Sequence, residues 1–162
     1  MTIQDSSETL SLNVSSLISN TSDDHYTPPF VFESLGIEFD LDVSAPLEGI
    51  PWLPAKKHYS LVDDGLTSPW FGKVWMNPPY SKPTPWIDRF IAHGNGICLV
   101  PASKSKWFKS IWEAADSALL MPANLKFVRG DGYAQIQFQT MMFAMGSECD
   151  QALRNSGLGS AR

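Results

Sequence analysis

The chain has 162 residues, a length that suits one domain with a single hydrophobic core. Hydrophobic residues make up 43% of the chain and charged residues 18%, a composition typical of globular domains and not of disordered or membrane-embedded chains. The formal net charge of −5 and the pI of about 5.0 exclude a protein that coats nucleic acid through its bulk charge, so that any contact with phosphate must be local.

The two ends of the chain differ in composition from its middle. Residues 1–24 are rich in Ser, Thr, Asn and Asp and predict a flexible leader, whereas residues 148–162 contain small polar residues and glycines and predict a flexible tail. Residues 25–147 are then expected to form the folded domain. We expect a cytoplasmic protein that does not bind membranes, because no run reaches the ~18 apolar residues of a membrane span and no secretory signal pattern is visible.

The first part of the domain predicts a helix, a strand and a loop. Pro28 and Pro29 suit the first turn of a helix, and Gly36 suits its end. Residues 37–43 then predict a strand. Residues 46–58 contain three prolines and two lysines, which favours a loop.

The centre of the chain predicts an alternation of strands and helices. A short strand at residues 74–76 leads to a helix for which Thr84 is the expected N-cap and Gly94 the residue after the last turn. Residues 97–100 are continuously apolar, which predicts a central strand covered on both faces. An amphipathic stripe over residues 107–115 predicts the next helix.

The last part of the domain predicts strands only. A short strand is expected at residues 118–121, and an antiparallel hairpin at residues 125–129 and 134–145 around the turn 130–132. The order of elements predicts an α/β domain with a small open sheet and a C-terminal antiparallel hairpin at its edge. The ligand of such a sheet is expected beyond the carboxyl ends of its strands.

One tetrapeptide, which follows directly after the strand at 74–76, suggests a specific chemistry. It consists of Asn77, Pro78, Pro79 and Tyr80. The exocyclic amine of adenine is a poor nucleophile because its lone pair is delocalised, and two acceptors aimed at its N–H bonds, the Asn77 amide oxygen and the Pro78 carbonyl, would localise that lone pair. The two prolines fix the backbone, and Tyr80 offers a face for an extruded base. The structural alternative is a rigid turn with Tyr80 packed on the core.

With this motif and its surroundings, the chain resembles the phage-type, Dam-like family of DNA adenine-N6-methyltransferases. The resemblance runs from about Tyr26 to Met145 and implies a compact Rossmann-like fold with S-adenosyl-L-methionine as cofactor. Its strongest segments are Phe-Asp-Leu-Asp-Val-Ser-Ala at 39–45, Asp-Asp-Gly-Leu at 63–66 and the stretch 70–81, with further matches at 86–87, 99–102, 107–108 and 125–127.

The same resemblance implies a set of cofactor-binding residues. Thr27 and Pro28 would lie beside the methionine part of the cofactor, Asp42 would hold its amino group, and Asp64 would lie near its adenine. No Gly-x-Gly pattern follows Asp42, and Ser44 stands at this place as a further candidate cofactor contact. Asp42 also stands out by itself, because a carboxylate at the end of an apolar strand is costly to bury without a cation.

Three lysines after the predicted central strand are candidate phosphate contacts. Lys104, Lys106 and Lys109 belong to the one clearly positive region of the sequence, and a solvated helix start is an equally typical role for them.

The function that these patterns favour is transfer of a methyl group from S-adenosyl-L-methionine to the N6 amino group of adenine in DNA, with base flipping. We expect a direct transfer without a metal ion, by a monomer that binds DNA transiently and is encoded by a phage or prophage in a bacterial host. Two alternatives remain open: a different acceptor, namely cytosine N4, an RNA base or a protein glutamine, and a non-catalytic relative that only binds nucleic acid.

Overall fold

The computed structural model describes residues 25–129, 132–135 and 138–162, so the predicted leader lies outside the described residues. The described chain forms a six-stranded mixed sheet and a separate two-stranded hairpin. The helices are α1 (Pro29–Leu35), α2 (Thr84–His93), α3 (Lys106–Ala114) and α4 (Ser147–Arg154). The strands are β1 (Phe39–Asp42), β2 (Ala55–His58), β3 (Val74–Met76), β4 (Gly96–Pro101), β5 (Ser117–Leu120), β6 (Lys126–Arg129), β7 (Gly132–Gln135) and β8 (Thr140–Met145).

The strand order of the main sheet places a reversal beside β1. The order is β2-β1-β3-β4-β8-β5, in which β2, β1, β3 and β4 are parallel and β8 is antiparallel to both of its neighbours. From β1 the chain proceeds to β2 on one side and then crosses to β3 on the other side. In open α/β sheets such a reversal leaves a crevice at the carboxyl ends of the two strands, here β1 and β3.

Helices cover both faces of the sheet, so that the core has two parts. Strand β4 contributes to both, since Ile97 and Leu99 pack with α1 and α4 whereas Cys98 and Val100 pack with α2 and α3. All four side chains are fully buried. The predictions of an α/β domain and of a central strand buried on both faces are therefore confirmed.

The ends of α1 and α2 follow the glycines that the sequence pointed to. Gly36 and Gly94 are left-handed, with φ of 65° and 71°, and each N–H donates to the carbonyl of the residue four positions earlier at 3.0 Å. Thr84 was predicted as the N-cap of α2, but it is the first helical residue, and Pro83 is the cap. Pro83 has φ −79° and ψ −23°, so the backbone is already helical there and the Thr84 hydroxyl makes no cap hydrogen bond.

The prediction of a loop over residues 46–58 was wrong in its last part, which forms β2. This strand lies at the edge of the sheet and pairs in parallel with β1, with Ala55 opposite Phe39. Lys56, Lys57 and His58 are exposed. An edge strand with exposed, charged side chains carries no apolar periodicity, and it was therefore not visible in the sequence.

The predicted hairpin forms, but its second strand is shorter than expected. Strand β7 ends at Gln135 and pairs with β6, whereas β8 lies in the main sheet between β4 and β5. The prediction of one strand over 134–145 was wrong because it joined two patterns. The continuously apolar run from Met141 to Ala144 is buried and is typical of a central strand, not of a hairpin edge.

Residues 148–154 of the predicted tail belong to the helix α4, so the prediction of a flexible tail was wrong for this part. In α4, Cys149 and Leu153 are fully buried and pack against the sheet. The final residue then pairs with β5, since Arg162 and Ala118 exchange two backbone hydrogen bonds of 2.7 and 2.8 Å. Two apolar residues at i and i+4 were too weak a signal in a polar stretch. None of the helices in the described part of the chain is long and apolar enough to cross a membrane.

Glycine is required at the start of β4 for a steric reason. A Cβ atom at Gly96 would lie 2.6 Å from Val74 Cγ2 and closer still to the Val74 carbonyl oxygen. At Gly36, by contrast, a Cβ atom would meet no atom within 4 Å, so that only the left-handed backbone opposes a side chain.

We therefore expect Gly96→Ala to lower the free energy of unfolding by about 3 kcal/mol, because two backbones must move apart. The control Gly36→Ala should lower it by about 1 kcal/mol, the cost of a left-handed alanine. Urea unfolding of both variants measures the difference. Equal losses would contradict the close approach of β3 and β4.

Candidate active site

Asp42 is a buried carboxylate at the carboxyl end of β1. Only 3% of the residue is exposed, and the Ser44 N–H donates to its Oδ1 at 3.3 Å. Burial raises the pKa of Asp42 from 3.8 to about 7, and the hydrogen bond from Ser44 offsets part of that increase. Among the described residues no side-chain cation pairs with Asp42. A cationic group of a ligand beside Asp42 would offset the cost of burying this carboxylate.

A second unsatisfied polar group lies in the segment before α1. Thr27 is fully buried, and its hydroxyl has no hydrogen-bond partner among the described residues. Its carbonyl accepts a hydrogen bond of 2.8 Å from Trp52 Nε1, which holds the segment against the turn before β2. A buried hydroxyl without a partner costs free energy, and a polar atom of a ligand would relieve that cost.

Asn77 links these two regions. It directly follows β3, the neighbour of β1, and its backbone carbonyl accepts a 2.9 Å hydrogen bond from the Ser44 hydroxyl. Its side-chain Nδ2 donates to the carbonyl of His25 at 3.1 Å. Since only Nδ2 can donate, this bond orients the amide and turns its acceptor atom Oδ1 away from that carbonyl.

The rest of the tetrapeptide leads to an aromatic pair. Pro78 is buried, and Pro79 and Tyr80 are partly buried. The Tyr80 ring meets the Phe138 ring edge to face, with centroids 5.8 Å apart and an angle of 69°. Phe138 was not among the predicted site residues. Its signal in the sequence, a single aromatic in a glutamine-rich stretch before β8, is weak.

Asp64 reaches the same edge of the sheet through a loop. It is exposed and left-handed, with φ of 56°, and its Oδ1 accepts a hydrogen bond of 3.1 Å from the Leu66 N–H. The carboxylate thus stabilises the turn in which Asp64 itself lies. The next residue, Gly65, lies so close to the carbonyl of Val43 that a Cβ atom could not be placed there, which fixes the loop against the end of β1.

Arg89, which the sequence did not single out, holds this loop from α2. Its guanidinium donates to the carbonyls of Gly65, at 2.9 Å, and Ser68, and it lies 4.8 Å from the centre of the Trp70 ring. Trp70 Nε1 also donates to the Gly65 carbonyl at 2.7 Å. The planar, multiply donating side chain of arginine suits this clamp.

The three predicted phosphate-binding lysines follow β4. Lys104, Lys106 and Lys109 are exposed in the connection after the strand and in the first turn of α3. Since β1, β3 and β4 are parallel, this connection begins at the same edge as Asp42 and Asn77. Lys109 forms a 3.9 Å ion pair with Glu113, an exposed pair that adds little stability.

Comparison with known proteins identifies the family of the chain. The family model described as DNA N-6-adenine-methyltransferase (Dam) matches residues 14–145. A DNA N-6-adenine-methyltransferase of Escherichia phage T1 is 34% identical over 107 residues, which are 60% of this chain and 43% of that protein. One of Haemophilus phage HP1 is 32% identical over 93 residues, which are 51% of this chain and 52% of that protein. The chain thus spans about half the length of these relatives. Because the family model covers most of the chain, this protein belongs to the DNA N-6-adenine-methyltransferase (Dam) family.

Proposed function

We propose that this chain transfers a methyl group from S-adenosyl-L-methionine to the N6 amino group of adenine in DNA. Family membership and the names of the phage relatives support this reaction. The observation that carries the proposal is the link through Ser44, whose N–H donates to Asp42 and whose hydroxyl donates to the carbonyl of Asn77. A carboxylate that a cation would stabilise and an amide that can bind an amine are thereby held at the ends of neighbouring strands.

The described residues fit the cofactor. S-adenosyl-L-methionine, when bound, supplies an electrophilic methyl group on a positively charged sulfur. Asp42 would hold its ammonium group, and the unsatisfied hydroxyl of Thr27 would accept or donate a hydrogen bond beside Pro28. Ser44 would keep the Asp42 carboxylate in place. Asp64 would lie near the adenosine part, on the loop that Arg89 fixes.

Asn77 and Pro78 would prepare the acceptor. The amide oxygen of Asn77 and the carbonyl oxygen of Pro78 accept hydrogen bonds from the two N–H groups of the adenine amine. This directs the lone pair of the amine out of the ring plane. The hydrogen bond from Asn77 Nδ2 to the His25 carbonyl sets the direction of that oxygen before substrate arrives. Acceptors that are oriented in advance, where positive charge develops, account for large rate effects.

Tyr80 and Phe138 would hold the extruded base. The face of one ring and the edge of the other, 5.8 Å apart, form a corner in which an adenine can stack and so regain part of the energy lost on leaving the duplex. Lys104, Lys106 and Lys109 would contact phosphate from the neighbouring strand end.

The proposal also assigns the sheet to a compact, Rossmann-like methyltransferase fold. The support for it is the reversal of strand order around β1, the position at which such sheets bind ligands. From the phage origin of the relatives, we expect the protein to act on DNA in the cytoplasm of a bacterial host. That it acts as a monomer stays a prediction.

The role of Asn77 gives the first functional prediction. Asn77→Ala should lower the rate of methyl transfer to DNA by about 100-fold or more, since one of two oriented acceptors is lost. The assay incubates the protein with methyl-labelled cofactor and unmethylated DNA and measures labelled N6-methyladenine after digestion to nucleosides.

Asn155→Ala, which changes an exposed asparagine after α4, is the matched control and should retain full activity. Both variants should bind the cofactor as the unmodified protein does. Label in N4-methylcytosine instead of N6-methyladenine, or an active Asn77→Ala variant, would contradict the proposal.

The pKa of Asp42 gives a prediction for pH dependence. Only the carboxylate attracts the ammonium of the cofactor, and its pKa in the free protein is about 7. Binding below that pH requires loss of a proton, so the affinity measured by calorimetry should fall about tenfold per pH unit between pH 7 and 5. Asp42→Asn should bind more weakly at pH 8 and lose this dependence, whereas the exposed control Asp88→Asn should keep it.

In the cofactor-free protein, Asp42 should make stability depend on pH in the direction opposite to cofactor binding. The folded-state pKa of Asp42 lies above its ordinary value of 3.8, so the folded protein binds the proton more tightly than the unfolded chain. The contribution of Asp42 to the free energy of unfolding should therefore decrease from about pH 4 to pH 7 and then level off. A contribution that increases over this range would show that Asp42 is not buried unpaired.

A further inference from the structure

An open groove lies between the start of α1 and the hairpin β6–β7. It has a volume of about 390 Å³. Its walls are formed by residues of two separate segments, namely Pro28, Pro29, Phe30 and Glu33 on one side and Lys126 and Tyr133 on the other. None of these residues except Pro28 belongs to the proposed methyl-transfer site.

Two aromatic side chains in this groove are exposed to an unusual extent. Phe30 is 43% exposed and Tyr133 is 68% exposed, although both are large and could bury apolar surface. They come from opposite walls. Exposed aromatic rings that face an open groove are typical platforms for unstacked or splayed nucleobases, since each base offers a flat face.

The charged groups of the groove match a nucleotide. Glu33 and Lys126 are exposed on opposite walls, and within the described residues neither forms an ion pair. The ammonium of Lys126 suits a phosphate, and the carboxylate of Glu33 suits the exocyclic amine of a base. A purely apolar or purely acidic partner would satisfy one of these groups at most.

Backbone and side-chain contacts connect the segments that line the groove with the proposed methyl-transfer site. Tyr26 and Val128 exchange two backbone hydrogen bonds of 2.9 and 2.8 Å, which join the segment before α1 to the hairpin. The residue before Tyr26, His25, holds the side chain of Asn77 through its carbonyl, and its ring lies against Phe127 of β6. Pro28 of the groove thus follows three residues after His25, whose carbonyl holds the side chain that would bind the target amine.

We infer that this groove binds a nucleotide that flanks the target adenine, and that it contributes to sequence preference. Tyr133 and Phe30 stack on the flanking base, Lys126 contacts its phosphate, and Glu33 accepts a hydrogen bond from an exocyclic amine. This inference rests on the proposed function for the identity of the substrate, and it adds a binding site of its own.

The test measures binding separately from methyl transfer. The full chain is titrated into a short fluorescent DNA duplex, with randomised bases around one adenine, at several salt concentrations. Tyr133→Ala should bind about tenfold more weakly with an unchanged salt dependence, and Tyr133→Phe should restore binding. Lys126→Gln should lower the slope of log affinity against log salt by about 1. Sequencing of the bound DNA should show that Glu33→Gln changes the preferred base at one flanking position.

Matched controls come from elsewhere on the surface. Phe71→Ala removes an aromatic side chain that is 42% exposed, and Lys57→Gln removes an exposed lysine of β2. Both variants should bind DNA as the unmodified protein does. Circular dichroism and thermal unfolding confirm that each variant folds.

The inference is overturned if Tyr133→Ala and Lys126→Gln bind DNA like the controls, or if they weaken cofactor binding instead. Loss of DNA binding in these variants, together with absence of N6-methyladenine from reactions of the unmodified chain, would keep the groove and refute the proposed methyl transfer. Normal DNA binding by the variants, together with N6-methyladenine in reactions of the unmodified chain, would refute the groove and keep the proposed methyl transfer.

Discussion

The burial of an unpaired carboxylate at the end of β1 is the constraint on which the rest of the site depends. Asp42 is held in place by the Ser44 N–H, yet no side-chain cation among the described residues neutralises it. A fold retains such a group at a cost in stability, and a ligand that supplies the cation offsets that cost. The neighbouring contacts of Ser44 and Asn77 place an oriented amide beside the same position. Under the proposed function, binding of a cationic cofactor and preparation of an amine acceptor would thus be parts of one arrangement.

The acidic balance of the chain agrees with local contacts to DNA. With a net charge of −5, long-range attraction to phosphate is weak, and affinity must come from a few positioned groups. The exposed lysines after β4 and the groove beside the hairpin would supply these groups. An enzyme that modifies one base and then leaves benefits from such limited binding.

The sequence predicted those parts of the molecule in which local chemistry determines the structure. Gly36 and Gly94 end their helices as expected, and residues 97–100 form the buried central strand. The position of the tetrapeptide after β3 was also predictable, because two successive prolines lack the N–H groups that a strand needs to continue its pairing. The features that were missed depend on tertiary contacts. Strand β2 is stabilised by its pairing with β1, and β8 is stabilised by its position between two strands. Helix α4 is stabilised by its two buried side chains. Phe138 and Arg89 acquire their positions from residues far away in the sequence, which no local pattern records.

The most direct measurement of the central claim is the titration of the Asp42 carboxyl by carbon NMR, with and without a bound cofactor product that retains the ammonium group. We expect a pKa of about 7 in the free protein, caused by burial, and a pKa well below that value in the complex, because the cation stabilises the carboxylate. An ordinary pKa in the free protein, or a pKa that the ligand leaves unchanged, would contradict it.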